Sequence, residues 1–124
     1  MGKTDLGKTS SGMEANVAGL LSYVLGPITG LIFFLMEKEN KFVRFHAFQS
    51  IVVFGALFVV QIAISFIIST LAMMHAGAVI PLFVLLSNLV ALAGLILWIL
   101  LMVKAYQGEK FKLPVAGDLA EKNS

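Results

Sequence analysis

Two stretches of this chain carry no Asp, Glu, Lys or Arg at all: Ala15 to Met36, and Phe45 to Val103. Between them lies Glu37-Lys38-Glu39-Asn40-Lys41-Phe42-Val43-Arg44, with five charges in eight positions. A charged hinge between two such runs fixes where the chain must meet water. With 59% hydrophobic and 13% charged residues, a soluble domain of 124 residues could not cover its apolar surface. The bilayer is the expected solvent, and the chain reads as one domain. The absence of cysteine excludes disulfides and thiolate chemistry. A net charge of +2 is too small and dispersed for nucleic-acid binding, so the cations read as topology signals instead.

The expected fold is an all-α, polytopic membrane bundle of three transmembrane helices with a short interfacial C-terminal tail. Residues 1–14, rich in Gly, Ser, Thr and Lys, read as a disordered tail, and no cleaved signal peptide is expected. The transmembrane domain is 15–106, with spans near 15–36, 46–73 and 80–105, and 107–124 form the interfacial or cytoplasmic tail. As one helix, 15–36 would be about 33 Å long, enough to cross a ~30 Å hydrocarbon core. It is expected to be kinked or broken at Gly26-Pro27, because proline removes a backbone bond. Gly19, Ser22, Gly26 and Gly30 recur along it as a stripe of small residues that lets helices approach closely. The stripe reads as a packing face, with a broken helix lining a site as the alternative.

The second and third segments are joined by a short turn around 75–79, so they are expected to be antiparallel neighbours. Gln61 and Asn88 lie at similar depth, about 4.5 Å apart along the helix axis, and an interhelical hydrogen bond between them is expected. In the C-terminal tail, Gln107 to Val115 alternates polar and apolar residues and reads as an extended segment at the interface. Lys38, Lys41 and Arg44 in the hinge and Lys104, Lys110 and Lys112 past the third segment put both regions in the cytoplasm of a multi-pass cell-membrane protein. Three spans then place the N-terminus outside. If the first segment is re-entrant at its Gly-Pro break, the N-terminus lies inside.

Wound as a helix, the hinge end of the second segment has two faces. Lys41, Arg44, Phe45 and Phe48 share one, suited to anchoring in the headgroup region together with Lys104, Lys110 and Lys112. Phe42, His46 and Gln49 share the other, with Ser50 at its edge. His46, Gln49 and Ser50 form a candidate polar cluster at the cytoplasmic mouth, with either a proton- or substrate-contacting role or a role as glue. His75 stands alone in the far turn. Two distant histidines, no cysteine and carboxylates outside the spans leave no expected metal site, and no catalytic residue or cofactor is expected.

Gly19-Leu20-Leu21-Ser22-Tyr23, Gly26-Pro27-Ile28-Thr29-Gly30, Glu37 through Ser50 with its Phe-His-Ala-Phe-Gln-Ser core, and Lys104-Ala105-Tyr106-Gln107-Gly108 together mark a resemblance. From Ala15 to Glu121 the chain resembles the Tic-twenty-like family, small prokaryotic membrane proteins of unknown function similar to a plastid inner-envelope import component. The resemblance implies an integral membrane protein of three or four helices and offers no catalytic residues. The functional expectation is a non-enzymatic small scaffold or subunit of a membrane complex, linked to protein or solute passage. The alternative is a homo-oligomeric channel or transporter using the first-segment break and His46/Gln49. Besides the lipid bilayer, the expected partner is a second copy or another membrane protein.

Overall fold

The structure is a computed structural model that describes residues 6–124; residues 1–5 of the N-terminal tail lie outside the described residues. Among the described residues five α-helices follow one another: α1 (Ala15–Val24), α2 (Pro27–Met36), α3 (Lys41–Met73), α4 (Ile80–Tyr106) and α5 (Ala116–Asn123), with a 3₁₀ turn at Gly77–Val79 before α4. No strand occurs among the described residues.

Among the described residues two helices, not the expected three, are long and apolar enough to cross a membrane: Lys41–Met73, and Gly77–Tyr106 with its leading turn. The apolar first segment divides into α1 and α2, each 10 residues and about 15 Å long. The reason lies at the predicted break. Gly26 adopts φ +61, a left-handed conformation that glycine reaches without strain, and Pro27 follows as the first residue of α2. The chain reverses there instead of kinking. Ala15 and Ala18 near the start of α1 pack with Phe33 near the end of α2, so the two form an antiparallel hairpin whose ends both lie at the hinge.

A broken helix frees backbone groups, and hydrocarbon offers no water to satisfy them. Here side chains do so. The Leu25 N–H donates to the Thr29 hydroxyl (3.1 Å), which donates to the Ser22 carbonyl (3.1 Å). The Ser50 hydroxyl of α3 donates to the Gly26 carbonyl at 2.8 Å. From α4, the Trp98 indole N–H donates to the Tyr23 carbonyl at 2.7 Å. Both long helices thus hold the hairpin tip.

The core sits at the hinge end. Along α3, buried positions run from Phe42 to Val53, with Ile64 beyond them, while α4 buries Leu101 and Ala105. Past the hairpin tip α3 and α4 continue as a pair with large apolar side chains exposed, among them Phe58, Phe66, Leu82 and Leu92. In water this would be untenable; in lipid it is the expected surface.

Gly19 and Gly30 allow the hairpin its close approach to α3. A Cβ on Gly30 would lie 2.9 Å from the Ala47 carbonyl oxygen and 3.0 Å from the Ser50 Cβ, and one on Gly19 would lie 3.0 Å from the Phe42 ring. Gly55, by contrast, has nothing within 4 Å of such an atom. Gly30→Ala is therefore expected to cost about 1–3 kcal/mol of stability. Gly55→Ala should be neutral or stabilising by up to ~1 kcal/mol. Denaturant titration of the two variants in detergent checks the contrast, and equal losses would show that the close approach is not what Gly30 provides.

Candidate functional site

The hinge gathers both tails of the chain. Its first half grips the N-terminal tail through Glu37 and Asn40, which are both buried. The Glu37 carboxylate accepts from the Ser10 N–H (2.9 and 3.0 Å), the Ser10 hydroxyl (2.9 Å), and the backbone N–H groups of Glu39 (3.2 Å) and Asn40 (2.9 Å). Asn40 caps α3 by accepting from the Val43 N–H at 3.0 Å. Its amide nitrogen donates to the carbonyls of Leu6 (2.9 Å) and Lys8 (3.0 Å). Burial alone would raise the Glu37 carboxyl, but its hydrogen bonds from Asn40, Ser10 and Glu39 outweigh burial and hold it below the ordinary value of 4.5.

One turn into α3, His46 and Gln49 grip the other tail, with Tyr23 of α1 between them. All three are fully buried. The Glu109 carbonyl oxygen, which can only accept, lies 2.9 Å from His46 Nε2. That assigns the proton to Nε2 and leaves Nδ1 to accept from the Tyr23 hydroxyl at 2.7 Å. The Gln49 amide nitrogen donates to the Tyr23 oxygen (3.1 Å) and the Phe111 carbonyl (2.9 Å), while its oxygen accepts from the Leu113 N–H (3.0 Å). Every polar hydrogen of the three side chains is engaged within the protein. The partners on the tail are backbone groups of residues 109, 111 and 113, alternate positions of an extended segment.

The rings around this triad close it in. Phe42 and Phe45 meet His46 edge-on, with centroids 4.6 and 5.1 Å away, and Tyr23 stacks edge-on with Phe54 at 6.2 Å. Phe111 and Leu113 pack against the Tyr23–Leu101–Ala105 cluster. Beyond Pro114 the chain turns sharply: Val115 has φ +66, the Ala116 N–H donates to the Pro114 carbonyl at 2.7 Å, and α5 folds back against α3. Gly117 comes so close to Lys112 that a Cβ would lie 2.5 Å from the lysine Cβ.

The sequence-derived residues separate here into several roles. His46 and Gln49 come together, and Ser50 points instead to the hairpin tip. Of the residues read as interface anchors, Lys41 is exposed, but Phe45 is wholly buried, with Lys110 Nζ 5.6 Å from its ring centroid. Phe45 is a core residue because the tail, with Lys110 over its ring, covers the face that the helical wheel left to lipid. Arg44 donates to the carbonyls of Phe34 (3.0 Å) and Glu37, so it caps the end of α2 while stacking over the Phe34 ring. Phe48 leans on Phe34. Lys104 pairs with Glu109 at 3.4 Å, and Lys112 with Asp118 (3.0 Å) and Glu121 (3.1 Å), exposed pairs of little energetic weight.

Deep in the bundle, the expected Gln61–Asn88 bond is absent. Gln61 instead exchanges bonds with Ser87, accepting from its hydroxyl (2.7 Å) and donating to its carbonyl (2.9 Å). One residue of rotation on α4 turns Asn88 outwards. Tyr23, Glu37 and Asn40 are the site residues that sequence reasoning did not single out. Tyr23 lies in an apolar run with no local sign of its histidine partner. Among the described residues, no group of three or more His, Cys, Asp or Glu could hold a metal ion.

Over residues 9–120 the chain matches the magnetosome magnetite crystal formation protein family. It is 51% identical over 119 residues to a UPF0132 membrane protein of Methanocaldococcus jannaschii, with 96% of each chain covered. A UPF0132 membrane protein of Archaeoglobus fulgidus is 50% identical over 109 residues, 88% of this chain and 94% of the relative. No solved structure matches. These matches support a small membrane-protein family and carry no link to the plastid import component.

Two expectations follow from the clasps. Gln49→Leu removes three hydrogen bonds and strands the Phe111 carbonyl and Leu113 N–H, at about 1–3 kcal/mol for each group left unmet. Limited trypsin digestion should then cut after Lys110 and Lys112 much faster than in the parent, with hydrogen exchange at Leu113 accelerated; unchanged protection would mean that Gln49 does not hold the tail. For Glu37, whose folded value is lowered, the stabilisation is present above the unfolded carboxyl value of 4.5 and is lost as pH falls through the lower folded value. The parent should lose stability in that acid range relative to Glu37→Gln. Parallel stability–pH curves for the two proteins would remove Glu37 as the group responsible.

Proposed function

The chain belongs to the magnetosome magnetite crystal formation protein family, and from that premise we propose a non-catalytic membrane scaffold, with a re-entrant hairpin entering lipid beside two spans. One observation carries this reading. The polar cluster at the membrane mouth, the strongest candidate for chemistry in the sequence, spends all its polar hydrogens on the protein's own fold. A proton carrier or substrate contact needs a free valence facing a path, whereas this cluster faces the tail backbone.

The same geometry supports a topology with the N-terminus on the hinge side, replacing the outside N-terminus expected from three spans. Ser10 touches Glu37, and Asn16 donates to the Tyr106 carbonyl at 3.1 Å, so the N-terminal tail, hinge and end of α4 share one end of the molecule. Lys8, Lys38, Lys41, Arg44, Lys104, Lys110 and Lys112 all belong to that end, and the turn between α3 and α4 has no cation. The positive-inside rule assigns that end to the cytoplasm. A scaffold of this kind offers a membrane partner its bare α3–α4 pair and offers the cytoplasm a compact basic cap. The mineral role in the family's name is not part of this reading.

The competing channel or transporter reading has one observation in its favour. An apolar groove of about 420 Å³ opens beside the hairpin tip, lined by Gly26, Pro27, Phe54, Gln61, Gly94 and Trp98 among others. Its lining holds no charge, and neither His46 nor Gln49 reaches it.

Proteoliposomes bearing the full chain are expected to show no ion or proton flux above protein-free vesicles. Flux abolished by His46→Ala or Gln49→Ala would overturn the scaffold. Because the chain has no cysteine, single cysteines at Ser11 and Ser124 report topology cleanly. Both should label from the same side, and labelling from opposite sides would restore three spans.

A further inference from the structure

Asn88 is the one amide in the paired spans with no hydrogen-bond partner among the described residues, and it is exposed. It lies eight residues into α4, about 12 Å from the helix start and ~24 Å from Lys104. At that depth a side chain as short as asparagine reaches neither interface. Lipid tails offer it no bond, and an unmet amide in hydrocarbon is costly. The nearby polar residues do not need it, since Gln61 and Ser87 already satisfy one another.

The surface around Asn88 has a period. Leu85, Asn88, Leu92, Leu95 and Ile99 are spaced three, four, three and four residues apart and are all exposed. This is the 3.5-residue repeat of a coiled-coil seam with one polar position, and Leu95 at its edge also lines the groove beside the hairpin tip. We propose that two copies of this chain pair in parallel along that seam, with their Asn88 amides hydrogen-bonded to each other. A second copy fits for two reasons. All copies insert with one orientation, so identical stripes meet in register across a two-fold axis. An amide, with a donor and an acceptor, is complementary to itself. The proposal rests on the scaffold reading and names its partner.

The test uses the full chain in liposomes at low protein-to-lipid ratio. With Asn88 intact, Leu95→Cys on the seam should cross-link to a dimer under oxidation. Leu86→Cys, exposed on another face of α4, should not. Energy transfer between labelled copies should show the dimer, and Asn88→Leu should weaken it roughly 5–30-fold, the equivalent of about 1–2 kcal/mol. Since Asn88 is exposed and leucine suits lipid, this variant should insert and fold normally. Equal cross-linking at positions 86 and 95, an unchanged dimer in Asn88→Leu, or monomers throughout would each overturn the pairing. So would cross-linking of Leu95→Cys to a different protein in native membranes. A monomer that still shows no flux would leave the scaffold standing, so the two readings fail separately.

Discussion

Everything in this fold depends on how a broken helix is made tolerable inside hydrocarbon. Gly26 and Pro27 end α1 and begin α2 within an apolar run, freeing backbone groups where no water can bind them. The Thr29 hydroxyl and the backbone N–H groups of Gly26 and Gly30 serve the break locally, the latter two reaching the carbonyls of Tyr23 (2.9 Å) and Gly26 (3.1 Å), and Trp98 and Ser50 of the two spans give those carbonyls a second bond. The spans therefore brace the hairpin tip from both sides. Gly30 and Gly19 serve the same end from another direction, because without their bare backbones α3 could not come close enough for Ser50 to reach.

Reversal at Gly26 has a second consequence. A segment that crossed would have carried the N-terminal tail to the far side. A hairpin returns it to the hinge, where Glu37 and Asn40 bind Leu6, Lys8 and Ser10. On the next turns of α3, His46 and Gln49 bind residues 109, 111 and 113. The C-terminal clasp takes alternate residues of an extended segment, and both clasps read mainly backbone groups. Buried polar side chains that are fully satisfied add little net stability over apolar packing but penalise any alternative register strongly, since each misplacement would leave several groups unmet. Both clasps set where the tails lie more than they add to stability.

This explains which parts of the fold and site were legible in the sequence. The spans α3 and α4 were legible in their uncharged length, and the break in the Gly-Pro pair. Whether that break kinks the helix or reverses the chain depends on a single φ and on Trp98, 71 positions after Pro27. No local pattern records that. The helical wheel put His46 and Gln49 on one face, yet it assigned Phe45 to the lipid because it had no means of placing the tail over that face. Tyr23 was invisible for the same reason: its role is set by a histidine on another helix. Gln61 and Ser87 show how fine the limit is. Depth matching put Gln61 level with the right turn of α4, and only the rotation, one residue, separated Ser87 from Asn88.

The two ends of the molecule obey different rules of exposure. In water an exposed leucine asks for cover and an exposed amide does not. In hydrocarbon the demand is inverted: the bare leucines of α3 and α4 are at home, and a bare amide is not. Judged by apolar area, the far ends of α3 and α4 look uniformly unfinished, and that measure cannot say which face seeks a partner. Judged by unmet amides, the same surface is marked at Asn88. The hinge end turns most of its polar groups on its own tails, and the lipid end has one amide with no partner among the described residues. On the proposed scaffold reading, that bare amide is where the molecule associates within the plane of the membrane.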